Sequence, residues 1–215
     1  MRLLIGNKNY SSWSMRPWLV LSHFGIEFKE EILWLSGDGW KDKLRERSPT
    51  GNVPVLMAEQ MLIPDSLAII EYLNDRFPEK NIWPEDRMMR ARARAAACEI
   101  HCGFHALRNA APMNIRASMP GRVDVSAIQG DLDRLNILLG GLLERSGGPF
   151  LCGEFSAADA MYAPVAMRIL SYQLPVSEYI QNWIEALSGV RAVQAWRAAA
   201  LTETQIVPQD ELDAD

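Results

Sequence analysis

A proline set between two valines, in Gly51-Asn52-Val53-Pro54-Val55-Leu56, constrains this chain more than any other feature. Val55 and Leu56 are strand formers, yet Pro54 has no N–H to give a ladder. Such a proline marks a strand entry, an edge or a cis turn, and leaves backbone groups free. Free groups on a strand edge can pair with an extended peptide, as in β-augmentation. After a short gap, Pro64-Asp65-Ser66 opens an apolar helical run, Leu67-Ala68-Ile69-Ile70-Glu71-Tyr72-Leu73. A helix N-terminus attracts a carboxylate through its unpaired N–H groups and its dipole. A peptide-pairing edge beside a carboxylate-binding helix end is therefore expected.

The flanking pattern predicts a small α/β unit. Leu3-Leu4-Ile5 reads as a strand, and Trp18 to Phe24 carries helical spacing that ends at Gly25. Ser14 is the expected N-cap of that helix, which puts Pro17 at the third helical position, where a missing N–H costs nothing. Phe28 to Leu33 reads as a strand, Trp40 to Arg47 as a short helix, Val53–Met57 and Met61–Ile63 as a hairpin around Glu59-Gln60, and Ser66 to Phe77 as a helix stopped by Pro78. The order βαβαββα is that of a small α/β domain. Residues 78–86, with two prolines and four charges, read as a linker. The rest is all-helical: one long helix from Arg87 to Arg108, another from Ser126 to Arg145, an almost wholly apolar one through Leu170, and two shorter ones around Ser177–Leu187 and Val190–Leu201. Phe155-Ser156-Ala157-Ala158-Asp159 has the spacing of a capping box, so Ser156 and Asp159 are expected to be structural. The expected domains are 1–80 and 87–215, with a frayed acidic tail from Gln209 to Asp215.

Charge and cysteine content exclude several function classes. The net charge is −5 and 48% of the 215 residues are apolar, an ordinary globular composition with no basic surplus for nucleic acid or an anionic membrane. No apolar run approaches the ~20 residues of a membrane span. The N-terminal segment has no signal-peptide pattern. Three cysteines, Cys98, Cys102 and Cys152, fit free thiols in a reducing compartment, so a cytoplasmic location is expected. Cys98, His101, Cys102 and His105 recur at one-face helical spacing, but four ligands on one helix cannot wrap a tetrahedral zinc, and no metal is expected. That face is expected at the domain cleft or a dimer seam.

Taken together, Tyr10-Ser11-Ser12-Trp13-Ser14-Met15-Arg16, Asn52-Val53-Pro54, Asp65-Ser66-Leu67-Ala68-Ile69-Ile70-Glu71-Tyr72-Leu73, Phe155-Ser156-Ala157-Ala158-Asp159 and Val190-Arg191-Ala192-Val193-Gln194-Ala195-Trp196 resemble the cytosolic glutathione transferase family in order and spacing. The resemblance runs along almost the whole chain. It implies a thioredoxin-like N-terminal domain, an all-helical C-terminal domain, glutathione as co-substrate and a homodimer. The double-serine loop is most similar to zeta-class and related bacterial members. Trp13 stands where the zeta motif has a cysteine, Asp65 where many members have Glu or Gln, and Asn52 where Lys or Gln is common.

The resemblance assigns roles residue by residue. Ser11 and Ser12 would lie beside the glutathione sulfur as catalytic hydroxyls. Asn52, Val53 and Pro54 would hold the cysteinyl unit, with a cis peptide before Pro54. Ser66 would bind the γ-glutamyl carboxylate, and Asp65 would face the ammonium. Trp13, Met113 and Arg116 are expected in the electrophile pocket, where Met and Trp suit an adaptable apolar wall. The implied activity is conjugation of the glutathione thiolate to a small apolar electrophile, as in detoxification. Glutathione-dependent cis–trans isomerisation of the maleylacetoacetate type is an alternative that the Ser-Ser motif supports and Trp13 weakens. A non-catalytic glutathione-binding module is the third reading.

Overall fold

The computed structural model describes residues 1–212. The chain begins with β1 (Arg2–Ile5), α1 (Ser12–His23), β2 (Lys29–Ile32), α2 (Trp40–Arg47), β3 (Val55–Ala58), β4 (Met61–Pro64) and α3 (Ser66–Arg76). The strands form one sheet in the order β2-β1-β3-β4, with β1 and β2 parallel and the other pairs antiparallel. Leu3 faces Leu56 and Leu4 faces Val55 across the β1–β3 pair. Successive strand residues point to opposite faces. Leu3, Ile5, Leu56 and Ala58 therefore enter the main core with α1 and α3, while Leu4 and Val55 meet Leu33 and Leu44 on the other face, under α2. This is the small α/β unit expected from the strand and helix order, in the thioredoxin-like arrangement that the resemblance implied.

The helices that follow are α4 (Arg87–Cys102), α5 (His105–Ala110), α6 (Val125–Ser146), α7 (Ala157–Tyr172), α8 (Glu178–Ser188) and α9 (Arg191–Thr202). Every residue of α7 but Leu170 is buried, as its apolar sequence demands. Helix α1 packs along α7, so the main core runs without a break from the sheet into the helices. Trp18 of α1 and Trp196 of α9 meet edge to face at 5.2 Å. The Trp196 indole N–H also donates to the Lys8 carbonyl at 3.0 Å, tying the last helix to the loop after β1.

Three local expectations need correction. Ser11, not Ser14, caps α1, so Pro17 lies in the second turn. The Ser14 hydroxyl is turned inward to accept the Gly6 N–H at 3.1 Å and cannot serve as the cap. The helix expected from Arg87 to Arg108 breaks after Cys102. Gly103 is extended there, a Cβ on it would lie 2.7 Å from the Glu99 carbonyl oxygen, and Phe104 adopts a left-handed φ of 57°. Burying the Phe104 ring, edge-on to Tyr162 at 6.4 Å, gains about 1.5–3 kcal/mol and offsets the ~1–2 kcal/mol of that backbone. Finally, the acidic tail is docked through Glu211, with Pro208–Asp210 forming a short 3₁₀ turn; residues 213–215 lie outside the described residues. Ser156 and Asp159 form the capping box at the start of α7.

Candidate functional site

A cavity of about 340 Å³ opens where β3, α1 and α3 meet, lined by Trp13, Thr50, Asn52, Val53, Pro54, Asp65 and Ser66. The Val53-Pro54 peptide bond is cis. It precedes β3, so Val53 stays outside the ladder, and its N–H and C=O have no partner among the described residues. Asn52 is exposed on the rim. Its backbone N–H donates to the Ser48 hydroxyl oxygen at 3.1 Å and its side chain donates to the Thr50 carbonyl at 3.0 Å, which shapes the turn into Val53.

Across the cavity, Asp65 caps α3. One carboxylate oxygen accepts the Leu67 and Ala68 N–H groups at 2.8 and 3.0 Å. Its backbone is left-handed at φ 79°, which aims the side chain back over the first turn. The other oxygen meets His101 Nε2 at 3.1 Å, so α4 reaches across to the cap. Ser66 follows as the first helical residue. It is fully buried, and its hydroxyl has no partner. A buried hydroxyl without a partner costs about 1–3 kcal/mol. Beside the amides of a helix N-terminus, it completes a cradle that a carboxylate would satisfy.

The hydroxyls at α1 stand behind this cavity and do not line it. Ser11 is buried; its oxygen accepts the Ser14 N–H at 3.4 Å, and its proton goes to Ser14 Oγ at 2.8 Å. Ser14 Oγ keeps the Gly6 N–H as a second donor. Turning the Ser11 proton toward a thiolate would thus leave Ser14 Oγ still bonded. Ser12 is also buried, and its hydroxyl has no partner among the described residues.

Positive charge gathers around Trp13. The guanidinium of Arg16 lies 4.3 Å from its ring and that of Arg108 4.8 Å, and the His101 ring meets it edge-on at 5.1 Å. Arg16 is almost wholly buried, and its Nε and Nη1 have no partners. Burial, then the neighbouring Arg168 and Arg108, pull it down to about 9. Arg168 is likewise buried on α7 and lowered to about 10 by burial, then by Arg108. It is satisfied by the Ala111 and Pro164 carbonyls at 2.8 and 3.1 Å.

The other expected residues lie apart from the cavity. Met113 belongs to the main core. Arg116 donates to Tyr10 Oη at 2.7 Å, to the Gln205 carbonyl at 3.1 Å and to the Glu203 carbonyl. The buried Glu203 carboxylate accepts the Lys8 and Asn9 amides at 2.7 and 3.0 Å, bracing the loop that leads to Ser11. Ser156 and Asp159 sit at the base of α7. Asp159 also accepts the Leu151 amide and the Trp183 indole N–H, as a structural residue would. Among the described residues, no group of His, Cys, Asp and Glu could hold a metal ion. Of the one-face Cys/His set, His101 does face the cleft, while His105 belongs to the next helix. Sequence reasoning missed Thr50 and Arg108, whose types carry no motif, and gave Tyr10, at the head of the double-serine loop, no role of its own. The spacing that flagged His101 gave a cleft or a dimer seam but could not name its partner, Asp65.

A family model described as "Glutathione S-transferase, N-terminal domain" matches residues 10–76. A probable maleylacetoacetate isomerase of Caenorhabditis elegans is 30% identical over 173 residues, 78% of each chain. Glutathione S-transferase 1 of Dianthus caryophyllus is 29% identical over 182 residues, 83% of this chain and 82% of its own. Among solved structures, a glutathione transferase homolog from Burkholderia GL BGR1 with bound glutathione is 24% identical and covers 93% of this chain and 97% of its own, with a TM-score of 0.72. The holo structure of a zeta-class bacterial maleyl pyruvate isomerase is 22% identical, covers 96% and 100%, and also has a TM-score of 0.72.

Proposed function

The chain belongs to the glutathione S-transferase family, and from that premise we propose that it is a glutathione transferase that adds the glutathione thiolate to a small electrophile. The carrying observation is the unpartnered Ser66 hydroxyl at the N-terminus of α3, across one cavity from the free backbone of Val53. A γ-glutamyl carboxylate fits the Ser66 cradle, its ammonium fits the Asp65 carboxylate, and the cysteinyl amide fits the Val53 edge. The sulfur then lies toward α1, where Ser11, with Ser12 beside it, and the positive helix end favour the thiolate. Catalysis is thiolate stabilisation plus proximity, with no protein nucleophile. Residues 1–80 supply the peptide site, and residues 87–215 supply the electrophile wall and Arg116.

Calorimetric titration with glutathione tests the site. Ser66→Ala is expected to weaken binding by about tenfold, the scale of one hydrogen bond to a charged group. Unchanged affinity would move the γ-glutamyl unit elsewhere.

Glutathione-dependent isomerisation is the second reading. It is favoured by the isomerase names among the relatives and by the Ser11-Ser12 pair, and weakened by Trp13. Turnover of a cis-enone diacid decides between them. A homodimer is the proposed assembly, with Met61 and Leu62 of β4 and Met88 of α4 exposed as apolar surface for a second copy. Among the described residues, no helix is long and apolar enough to cross a membrane, and we propose a cytoplasmic location.

A further inference from the structure

Arg16 is a buried ion with no counter-ion in the chain. It is 2% exposed, and its Nε and Nη1 have no partner. Among the described residues, neither it nor Arg108 forms a salt bridge. The elements packed around it bring two more cations, Arg108 of α5 and Arg168 of α7, the Tyr162 ring of α7 and one acid, Asp65. The Asp65 carboxylate is already taken up by the Leu67 and Ala68 amides and by His101 of α4. Burial lowers Arg16 to about 9, so it keeps its charge at neutral pH. An unpaired buried ion is strongly unfavourable. A group perturbed in this way beside a cleft is the mark of a functional site.

The place of Arg16 on α1 selects the anion. It follows Ser12 by four residues and Trp13 by three, the spacings that bring side chains together on one helix face. A long side chain on a helix lies back over the preceding turn. The guanidinium does so here, 4.3 Å from the Trp13 ring. Trp13 lines the cavity, so the charge lies directly behind the cavity wall, under the first turn of α1. Arg108 is half-buried, 4.8 Å from the same ring, and donates one long hydrogen bond, 3.4 Å to the Gly103 carbonyl. The cysteinyl unit of glutathione stands between its two carboxylates. With the γ-glutamyl end at Ser66, the thiolate is the anion that faces α1.

We propose that Arg16, seconded by Arg108, is a positioning residue for the sulfur, and that the glutathione thiolate is the counter-ion of its buried guanidinium. The inference rests on the transferase reading above and deepens it, by naming the charge that holds the sulfur as an anion. On ionisation the thiol proton goes to solvent, and the sulfur keeps the electron pair that attacks the electrophile. Arg16 acts from behind Trp13 through its field, which adds to that of the helix end. The field is screened little there, because few water molecules intervene.

The test is the thiolate absorbance of bound glutathione against pH in the wild type, Arg16→Met and Arg108→Gln, with S-methylglutathione as the control. That analogue keeps both carboxylates, the ammonium and the peptide groups of glutathione and lacks an ionisable thiol. Arg16→Met is expected to raise the bound thiol by about one pKa unit, the size of the interaction between unit charges roughly 10 Å apart at an effective dielectric of about 20. Arg108→Gln is expected to raise it by less, because Arg108 is half in solvent. Affinity for S-methylglutathione is expected to stay at the wild-type value in both. A bound thiol that ionises alike in all three proteins, below the free value, would overturn the role of Arg16 and leave the transferase reading standing. Loss of S-methylglutathione affinity with no change in the thiol would overturn it too, since a residue that only supports Trp13 acts in that way. If Arg16→Met does not fold, Arg108→Gln decides alone: a raised bound thiol supports the pair, and an unchanged one overturns it. A wild-type bound thiol that ionises like the free one removes the transferase reading and the inference with it.

Discussion

At Asp159, burial and hydrogen bonding pull in opposite directions. Burial raises the carboxyl to about 6, against the lowering effect of the Leu151 amide, the Trp183 indole and the Ser156 amide and hydroxyl. The folded value lies above the unfolded one, so the folded state holds the proton more tightly. Stability from this group is therefore fully present below about pH 4 and is lost as pH rises toward 6. The difference in unfolding free energy between the wild type and Asp159→Asn, followed by denaturant titration, should fall by an amount on the order of 2–3 kcal/mol across that window. A flat difference would mean that the hydrogen bonds cancel the burial. Single residues were also where the sequence spoke most clearly about the site. Val53, Pro54, Asp65 and Ser66 could be singled out because proline and helix-capping chemistry act over a few neighbouring residues. Glu203 and Glu211 could not, because their partners, Lys8, Asn9, Tyr10 and Asn114, are about one hundred to two hundred residues away in the chain.

Among the elements, the capping box at α7 was legible because its signal is complete within four residues, and the helix it starts is the buried centre of the fold. Ser156→Ala should cost about 1 kcal/mol and lower Tm by roughly 2–4 °C in a chain of this size. Differential scanning calorimetry checks it, and an unchanged Tm would mean that water replaces the cap. Strand pairing was legible for a similar reason, since alternation assigns Leu3 and Leu4 to opposite faces. The start of α1 and the end of α4 were not. Ser11 and Ser14 are equally good caps by type, and the Gly6 amide decides between them through a contact across the loop. The break at Gly103 depends on burying Phe104 against Tyr162, a residue of another helix. Local propensity is overridden wherever burial energy is larger.

For the whole molecule, the cavity proposed for glutathione is built by the sheet unit and braced by the helices. His101 of α4 holds the Asp65 carboxylate, and Glu203 beyond α9 holds the loop before Ser11. His101→Ala should raise KM for glutathione by up to about fivefold and leave kcat little changed, because Asp65 would still cap α3 but would no longer be fixed toward the ligand ammonium. Equal loss in kcat would place His101 in the chemistry of the sulfur instead. The central claim is that this architecture makes bound glutathione a nucleophile. It is tested most directly by the thiolate absorbance of glutathione bound to the wild type, recorded against pH. A free thiol ionises near ~8.5. The account predicts a bound thiol well below that value, with part of the depression lost in Ser11→Ala; a bound thiol that ionises like the free one would contradict it.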